Sequence, residues 1–339
     1  MIKEHIATLC RGQHLSEEQS REAMADIMAG RTTDAQIAGF LVALRLNGES
    51  PGEITGCVRA MREAAKGIEV GGLPVVDTCG TGGDEKNTFN ISTAAAIVTA
   101  GAGVPVAKHG NRSVSSSSGS ADVLEHLGVN IEAPPETVER CVQQLGLGFL
   151  FAPLLHRAMK HAVGPRRELG VRTVFNLLGP LTNPAGARRQ VLGVYSENLT
   201  SLMAEVLHRL GTKKALVVNS RDGMDELSVC DKTDVAEAGA DGVSTWVLEP
   251  RELGLERSDI ADLGADGPED SARIIRNILG GKPGAPRDIA ALNAGAAIYA
   301  GGKAENLQEG LDAARESIDS GSARRVLDRL RQLSHETGA

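Results

Sequence analysis

The sequence predicts an α/β chain in two parts: a small helical domain, then a larger α/β domain with a mainly parallel central sheet. Three observations carry this expectation. The first 67 residues read as helix throughout. From Gly71 onward, short β-branched runs alternate with helical stretches. The 339 residues suffice for about two domains. The expected division is 1–70 for the helical part and 71–339 for the rest.

Three helix starts in the first part carry capping boxes, in which a Ser or Thr and a Glu or Gln three residues on satisfy each other's backbone donors. They are Ser16–Gln19, Thr33–Gln36 and Ser50–Glu53. Pro51 stands where a first helical residue tolerates proline. Apolar residues recur at helical spacing in IAGFLVALRLNG, and Asn47-Gly48 ends that helix. No chemistry is visible in this bundle. Its apolar faces need partners, either the second part of the chain or another subunit.

The second part opens the alternation with LPVVDT, VPVAKHG, GFLFAP, RQVLGVYS and KALVVNS. Between most of them lie amphipathic segments such as SADVLEHLG, PETVERCVQQLG and TSLMAEVLHRLG. That order implies a largely parallel sheet with helices on its faces. Active sites in such sheets gather at the C-terminal ends of the strands. TDVAEAGADGVSTWVLEP reads as edge strands with a hairpin, and Asn306–Leu333 as polar amphipathic helices.

Composition narrows the function. The chain is 41% hydrophobic and 24% charged, the balance of a soluble globular protein. Aromatics are only 2%, so aliphatic residues and alanine must fill the core. A net charge of -8 disfavours a general nucleic-acid partner, which would be basic. Cys10, Cys57, Cys79, Cys141 and Cys230 are far apart, odd in number and without a CxxC pair. This argues against a disulfide framework or a zinc site. No apolar run is long enough to span a bilayer. The N-terminus lacks the apolar stretch of a signal peptide, so a cytoplasmic protein with no membrane partner is expected.

Four segments could carry chemistry. Gly80-Thr81-Gly82-Gly83-Asp84 with Asn90-Ile91-Ser92-Thr93 joins a strand to a helix. It is either a capped turn or a phosphate cradle, since glycines admit an anion close to backbone N–H groups at a helix N-terminus. Thr88, Ser92 and Thr93 could add hydroxyl donors. Asp84 suits a metal or a ribose hydroxyl better than a bare phosphate. Lys108-His109-Gly110-Asn111-Arg112-Ser113 leads into a serine-rich stretch and a helix, a layout suited to phosphates. Asp222-Gly223-Met224-Asp225-Glu226 places two carboxylates on a turn, either a charged turn or hard ligands for Mg²⁺. His156–Arg167 is strongly basic; Arg166 or Arg167 could grip a carboxylate, or the segment is a solvated basic helix. Together the four suit a sugar phosphate bearing pyrophosphate, with displacement at a sugar carbon.

GTGGD, FNIST, KHGNR, SSGSADVLEHLG, RRELGVRTVFNLLGPLTNP and DGMDE, in this order, resemble the anthranilate phosphoribosyltransferase family over nearly the whole chain. The resemblance implies that anthranilate attacks C1 of phosphoribosyl pyrophosphate, giving phosphoribosylanthranilate and pyrophosphate in tryptophan biosynthesis. It implies the fold shared with pyrimidine nucleoside phosphorylases, with a segment near 166–183 returning to the helical domain. It also implies a homodimer packed through those domains.

Carried over residue by residue, the resemblance gives the phosphoribosyl pyrophosphate site Gly80, Gly83, Asp84, Thr88, Asn90, Ile91, Ser92 and Thr93. The same site takes Lys108, His109, Gly110, Asn111, Arg112, Ser113, Val114, Ser115, Ser116 and Ser120. Gly80, Asn111 and Arg166 correspond to anthranilate contacts, and His109 and His156 lie along its approach. Ser92, Asp225 and Glu226 correspond to ligands of Mg²⁺, two ions per subunit. The family commonly has His-Pro-Ala-Met where this chain has His156-Arg157-Ala158-Met159. No general base is assigned, because the amine grows acidic as its bond forms. A pyrimidine nucleoside phosphorylase would need a different glycine loop. A non-catalytic nucleic-acid-binding relative should be basic and lack the Asp225-Glu226 pair.

Overall fold

A computed structural model describes residues 2–112 and 118–336. Four helices open the chain: α1 Ile2–Cys10, α2 Glu17–Met28, α3 Asp34–Asn47 and α4 Pro51–Ala64. The three expected capping boxes are all formed, at Ser16, Thr33 and Ser50. Gly48, at φ 75°, ends α3 as the Asn-Gly pair implied.

The alternating part follows as β1 Val76–Gly80, α5 Ile91–Gly101, β2 Val106–Gly110, α6 Ser120–His126, α7 Pro135–Leu145 and β3 Leu147–Phe151. Next come three helices, α8 Ala152–Leu155, α9 Lys160–Leu169 and α10 Phe175–Leu178. The sheet resumes with β4 Arg189–Gly193, α11 Asn198–Arg209, β5 Lys214–Ser220, β6 Thr233–Gly239 and β7 Gly242–Leu248. Helices α12 Pro268–Leu279, α13 Ala285–Gly301, α14 Leu307–Asp319 and α15 Ser322–Leu333 close the chain.

All seven strands form one sheet in the order β3-β2-β1-β4-β5-β6-β7. The first five strands are parallel. The last two are antiparallel, the edge hairpin expected from the sequence, turning through Ala240-Asp241. The chain leaves β1 toward β2 and β3, then returns to the other side of β1 as β4. Strand order therefore reverses beside β1, and a crevice opens beyond the carboxyl ends there.

Each face of the sheet has its own apolar packing. One face meets α5 and α13, whose buried alanines replace the missing aromatics. The other face joins Leu192, Val194, Ala215 and Val217 to α11, to the first helices, and to Val174, Phe175 and Leu178. So the bundle's apolar faces find partners within the chain: α9 packs on α2 and α3, and α4 on α11.

Candidate active site

The loops after β1, β2, β4 and β5 meet at one edge of the sheet. Gly80 of β1 pairs with Gly193 of β4. A Cβ at either position would collide with Asp225, so two glycines admit the turn after β5 into the crevice. That turn is built by Asp222, whose carboxylate accepts from the Met224 N–H (3.1 Å) and the Ser228 hydroxyl (2.5 Å). Gly223 supplies a φ of 92°. Asp225 and Glu226 follow into the crevice.

The glycine loop wraps the same turn. The Thr81 N–H donates to the Gly193 carbonyl (2.9 Å) and the Gly82 N–H to Asp225 Oδ2 (2.9 Å). Gly82 and Gly83 have φ of 65° and 79°. Beyond them Glu85 and Asn87 also have positive φ, 59° and 53°, backbone that non-glycine residues seldom adopt. Such outliers cluster at functional sites.

Asp84, Asp225 and Glu226 repel one another. Burial, then Asp84, raises the Asp225 carboxyl above its ordinary range. Burial, then Asp225, raises that of Glu226, against Lys108 and the Ser92 N–H, which lower it. Both side chains are half-buried by area yet closely hemmed in by protein. Among the described residues, no three His, Cys, Asp or Glu side chains already form a metal cage. The donor set nevertheless suits Mg²⁺, which takes one or two carboxylates, keeps waters and accepts substrate phosphate oxygens. The cluster's excess negative charge calls for such a cation.

Lys108 lies across from this cluster. It is 2% exposed. Its ammonium donates to the Thr78 carbonyl (2.5 Å) and to Ser92 Oγ (3.1 Å). Burial lowers its pKa, while Asp77, Cys79 and Glu226 pull the other way. Asn90 caps α5: its Oδ1 accepts from the Thr93 N–H (2.9 Å) and the Ser92 hydroxyl (3.2 Å). Its amide donates to the Ser118 carbonyl (2.8 Å) and Ser120 Oγ (3.4 Å), tying the helix start to the start of α6. Ile91 and Thr93 are buried, and the Thr93 hydroxyl has no hydrogen-bond partner among the described residues. Thr88 bridges to Gly264.

Neighbouring side chains on a strand point to opposite faces, and β2 uses this. Lys108 turns toward α5, whereas His109 turns the other way and meets His156, with ring centroids 5.0 Å apart. Both rings are buried. Burial, then His156, lowers the His109 pKa to about 3, and burial lowers that of His156. Backbone hydrogen bonds at Gly179 and Thr182 hold the two rings. Each Nε2 has no hydrogen-bond partner among the described residues. Nε2 is thereby the open acceptor of each neutral ring.

Of the two candidate arginines, Arg167 is exposed and Arg166 half-buried, its guanidinium 4.9 Å from the Phe175 ring centroid. Among the described residues Arg166 makes no ion pair. Arg157, the departure from the family's proline, is exposed in a short 3₁₀ turn, while His156 before it stays buried. Arg112 is engaged by Asp122 (2.8 Å) and Glu125 (2.5 Å). The Asn111 side chain accepts from the Arg112 N–H (2.7 Å), and Gly110 sits too close to Phe149 for a Cβ. Ser113, Val114, Ser115 and Ser116 lie outside the described residues.

Sequence reasoning missed Arg172. Its guanidinium stacks 4.2 Å over the Tyr195 ring and donates to the Gly83 carbonyl (2.9 Å), bracing the glycine loop from β4's end. The only signal was an arginine in GVRTVFN, with nothing to say which loop it reaches.

Known proteins resemble this chain over both of its parts. The helical-bundle domain of the glycosyl transferase family matches residues 3–65, and that family's a/b domain matches 72–324. The chain is 51% identical to anthranilate phosphoribosyltransferase of Citrifermentans bemidjiense over 350 residues, covering 99% of each. It is 52% identical to the Alkaliphilus metalliredigens enzyme over 336 residues, again covering 99% of each. The crystal structure of the Thermus thermophilus enzyme superimposes with a TM-score of 0.93 at 48% identity, covering 98% of this chain and 99% of that one. The Saccharomyces cerevisiae enzyme in complex with phosphoribosyl pyrophosphate and Mg gives 0.88 at 30% identity, covering 98% and 97%. With identity of this extent over both domains, and the loops at one sheet edge, the chain belongs to the anthranilate phosphoribosyltransferase family.

Proposed function

We propose that the chain transfers the phosphoribosyl group of phosphoribosyl pyrophosphate to the amine of anthranilate, releasing pyrophosphate, as a step of tryptophan biosynthesis. The observation that carries this reading is the divided end of β2. Lys108, Ser92 and the carboxylates form a charged side, and the neutral His109–His156 pair forms an uncharged one. A pyrophosphate-bearing sugar suits the first side and a flat aromatic amine the second.

Gly80, Gly83, Asp84, Thr88, Ser92, Thr93 and Lys108 are assigned to the phosphoribosyl pyrophosphate, with the backbone at Asn90 and Ile91. Ser120, Gly110 and Arg112 are assigned to its phosphoribosyl end. Asn111 and Arg166 are assigned to anthranilate; a guanidinium fork matches a carboxylate's two oxygens. Asp225, Glu226 and the Ser92 hydroxyl would hold Mg²⁺, two ions per subunit. Bound there, the metal supplies charge neutralisation for departing pyrophosphate. The protein's own contribution is positioning and fixed donors. Lys108 offers an ammonium to the phosphates. The open Nε2 acceptors of His109 and His156 suit the amine's N–H groups without drawing off a full proton.

Residues 1–70 are proposed as the helical domain, receiving a segment near 166–183, and 71–339 as the catalytic domain. A homodimer through the helical domain is proposed on Val42, Leu46, Val163 and Val171, which stay exposed on α3, on α9 and just beyond. Five free thiols support a cytoplasmic setting.

The test is to mix the protein with anthranilate, phosphoribosyl pyrophosphate and Mg²⁺ and follow anthranilate fluorescence. Loss should require all three. Phosphate-dependent cleavage of thymidine or uridine without anthranilate turnover would move the chain to the phosphorylases.

A further inference from the structure

Asp77, the second residue of β1, is a fully buried carboxylate whose charge acts on Lys108, although no substrate or metal role falls to it in the proposed site. Its Oδ1 accepts from the backbone N–H of His109 (3.1 Å). Its Oδ2 accepts from the Asn183 amide (2.7 Å). The same amide donates to the Ala107 carbonyl (2.8 Å), and Asn183 Oδ1 accepts from the Ala185 N–H (2.9 Å). Asn183 is itself 4% exposed and comes from the LTNP segment that precedes β4. The pair thus grips β2 on both sides of Lys108, through the carbonyl before it and the N–H after it.

A buried carboxylate is costly, and this one is held by donors, with the Lys108 ammonium as a nearby cation. Burial pushes its carboxyl up to about 6, against Asn183, Lys108 and the backbone N–H groups of His109 and Thr78, which lower it. An amide at position 77 would turn an N–H toward either the His109 N–H or the Asn183 amide. The position therefore demands a carboxylate, although a strand of this core would otherwise favour an apolar side chain.

Resting on the proposed phosphoribosyl transfer, we propose that Asp77 and Asn183 are positioning residues that fix the end of β2, so that Lys108 and His109 stand in register on opposite sides of the sheet edge. Misplacing reacting groups by about 1 Å costs on the order of a hundredfold in rate. Neither residue touches the substrates; each acts through the β2 backbone.

The test compares Asp77→Asn, Asn183→Ala and the exchanged double variant Asp77→Asn/Asn183→Asp with wild type. Each is assayed for anthranilate consumption well below its own melting midpoint, with concentration corrected for folded protein. Each single variant should lose at least about tenfold in kcat, with KM raised for both substrates, since one strand end serves both sides. The double variant should recover only part of the Asp77→Asn loss: an amide at 77 then faces a carboxylate at 183, but that carboxylate cannot donate to the Ala107 carbonyl. Lower melting midpoints with kcat and both KM within twofold of wild type would overturn the proposal. So would failure of all three variants to fold, which would make the pair purely structural. A wild type that turns over no anthranilate would sink the proposed reaction itself, a result distinct from any difference among the variants.

Discussion

Arg166 and His109 show how much a single side chain's surroundings decide. Arg166 lies half-buried on the Phe175 ring, and burial lowers its pKa. A guanidinium left without an ion pair in that setting gains from a carboxylate. Arg166→Ala should weaken use of anthranilate by about 1.5–3 kcal/mol, the worth of a hydrogen bond to a charged group. Binding of phosphoribosyl pyrophosphate should barely change. Calorimetry in which only the pyrophosphate substrate were lost would place Arg166 at the other side. His109 makes a pH prediction. Its folded-state pKa is depressed from 6.5 to about 3, chiefly by burial. The folded state therefore binds fewer protons than the unfolded chain between those values. Its stabilisation is complete above about pH 6.5 and declines toward pH 3, by about 1.4 kcal/mol per unit. By pH 5 the wild type should lose about 2 kcal/mol through this group, and His109→Gln should not. Denaturant melts of both proteins at pH 7.5 and 5 measure the difference; parallel losses would show that His109 does not set the slope.

At the scale of elements, local signals were readable and tertiary ones were not. The capping boxes, the Asn-Gly stop and all five parallel strands follow from short stretches, because caps, turns and β-branched runs act over a few residues. The second role of Glu53 does not. It completes its capping box and also accepts from the Leu15 N–H (2.9 Å), 38 positions away. The Asp77–Asn183 pair and the reach of Arg172 to Gly83 likewise depend on segments that only folding brings together. Gly80 was readable as part of a glycine loop. Gly193 was not, since nothing near it in sequence announces that Asp225 will pass over it. Gly193→Ala should therefore destabilise the protein by about 3 kcal/mol, the upper end for overpacking, because the colliding atoms are backbone. Gly186→Ala makes a useful contrast. Its φ is 64°, but nothing lies within 4 Å, so its cost should be near the 1 kcal/mol of backbone strain alone. Equal melting midpoints for the two variants would show that the β5 turn yields to a methyl group.

Across the whole molecule, the rigid part and the reactive part conflict, and Asp225 and Glu226 mark where. The sheet and its two apolar faces hold the loops at one edge, yet that edge gathers Asp84, Asp225 and Glu226, with Lys108 opposing the charge of Glu226. A fold selected for stability alone would not keep three carboxylates so close, since each raises the cost of ionising the next. The arrangement is consistent as a site that meets a cation and a pyrophosphate in use. Asp225→Asn with Glu226→Gln keeps the size of both groups and removes two charges. In metal-free buffer the double variant should melt no lower than wild type, and higher if repulsion dominates. Adding Mg²⁺ should raise the wild-type midpoint, because a ligand that binds only the folded state stabilises it, and should leave the variant's midpoint nearly unchanged. Its kcat/KM should fall at least about a hundredfold, roughly 2.7 kcal/mol of barrier, with part of the loss regained at high Mg²⁺. Full activity with an unchanged Mg²⁺ requirement would make the pair a charged turn, and Ser92 with the substrate would have to hold the metal alone.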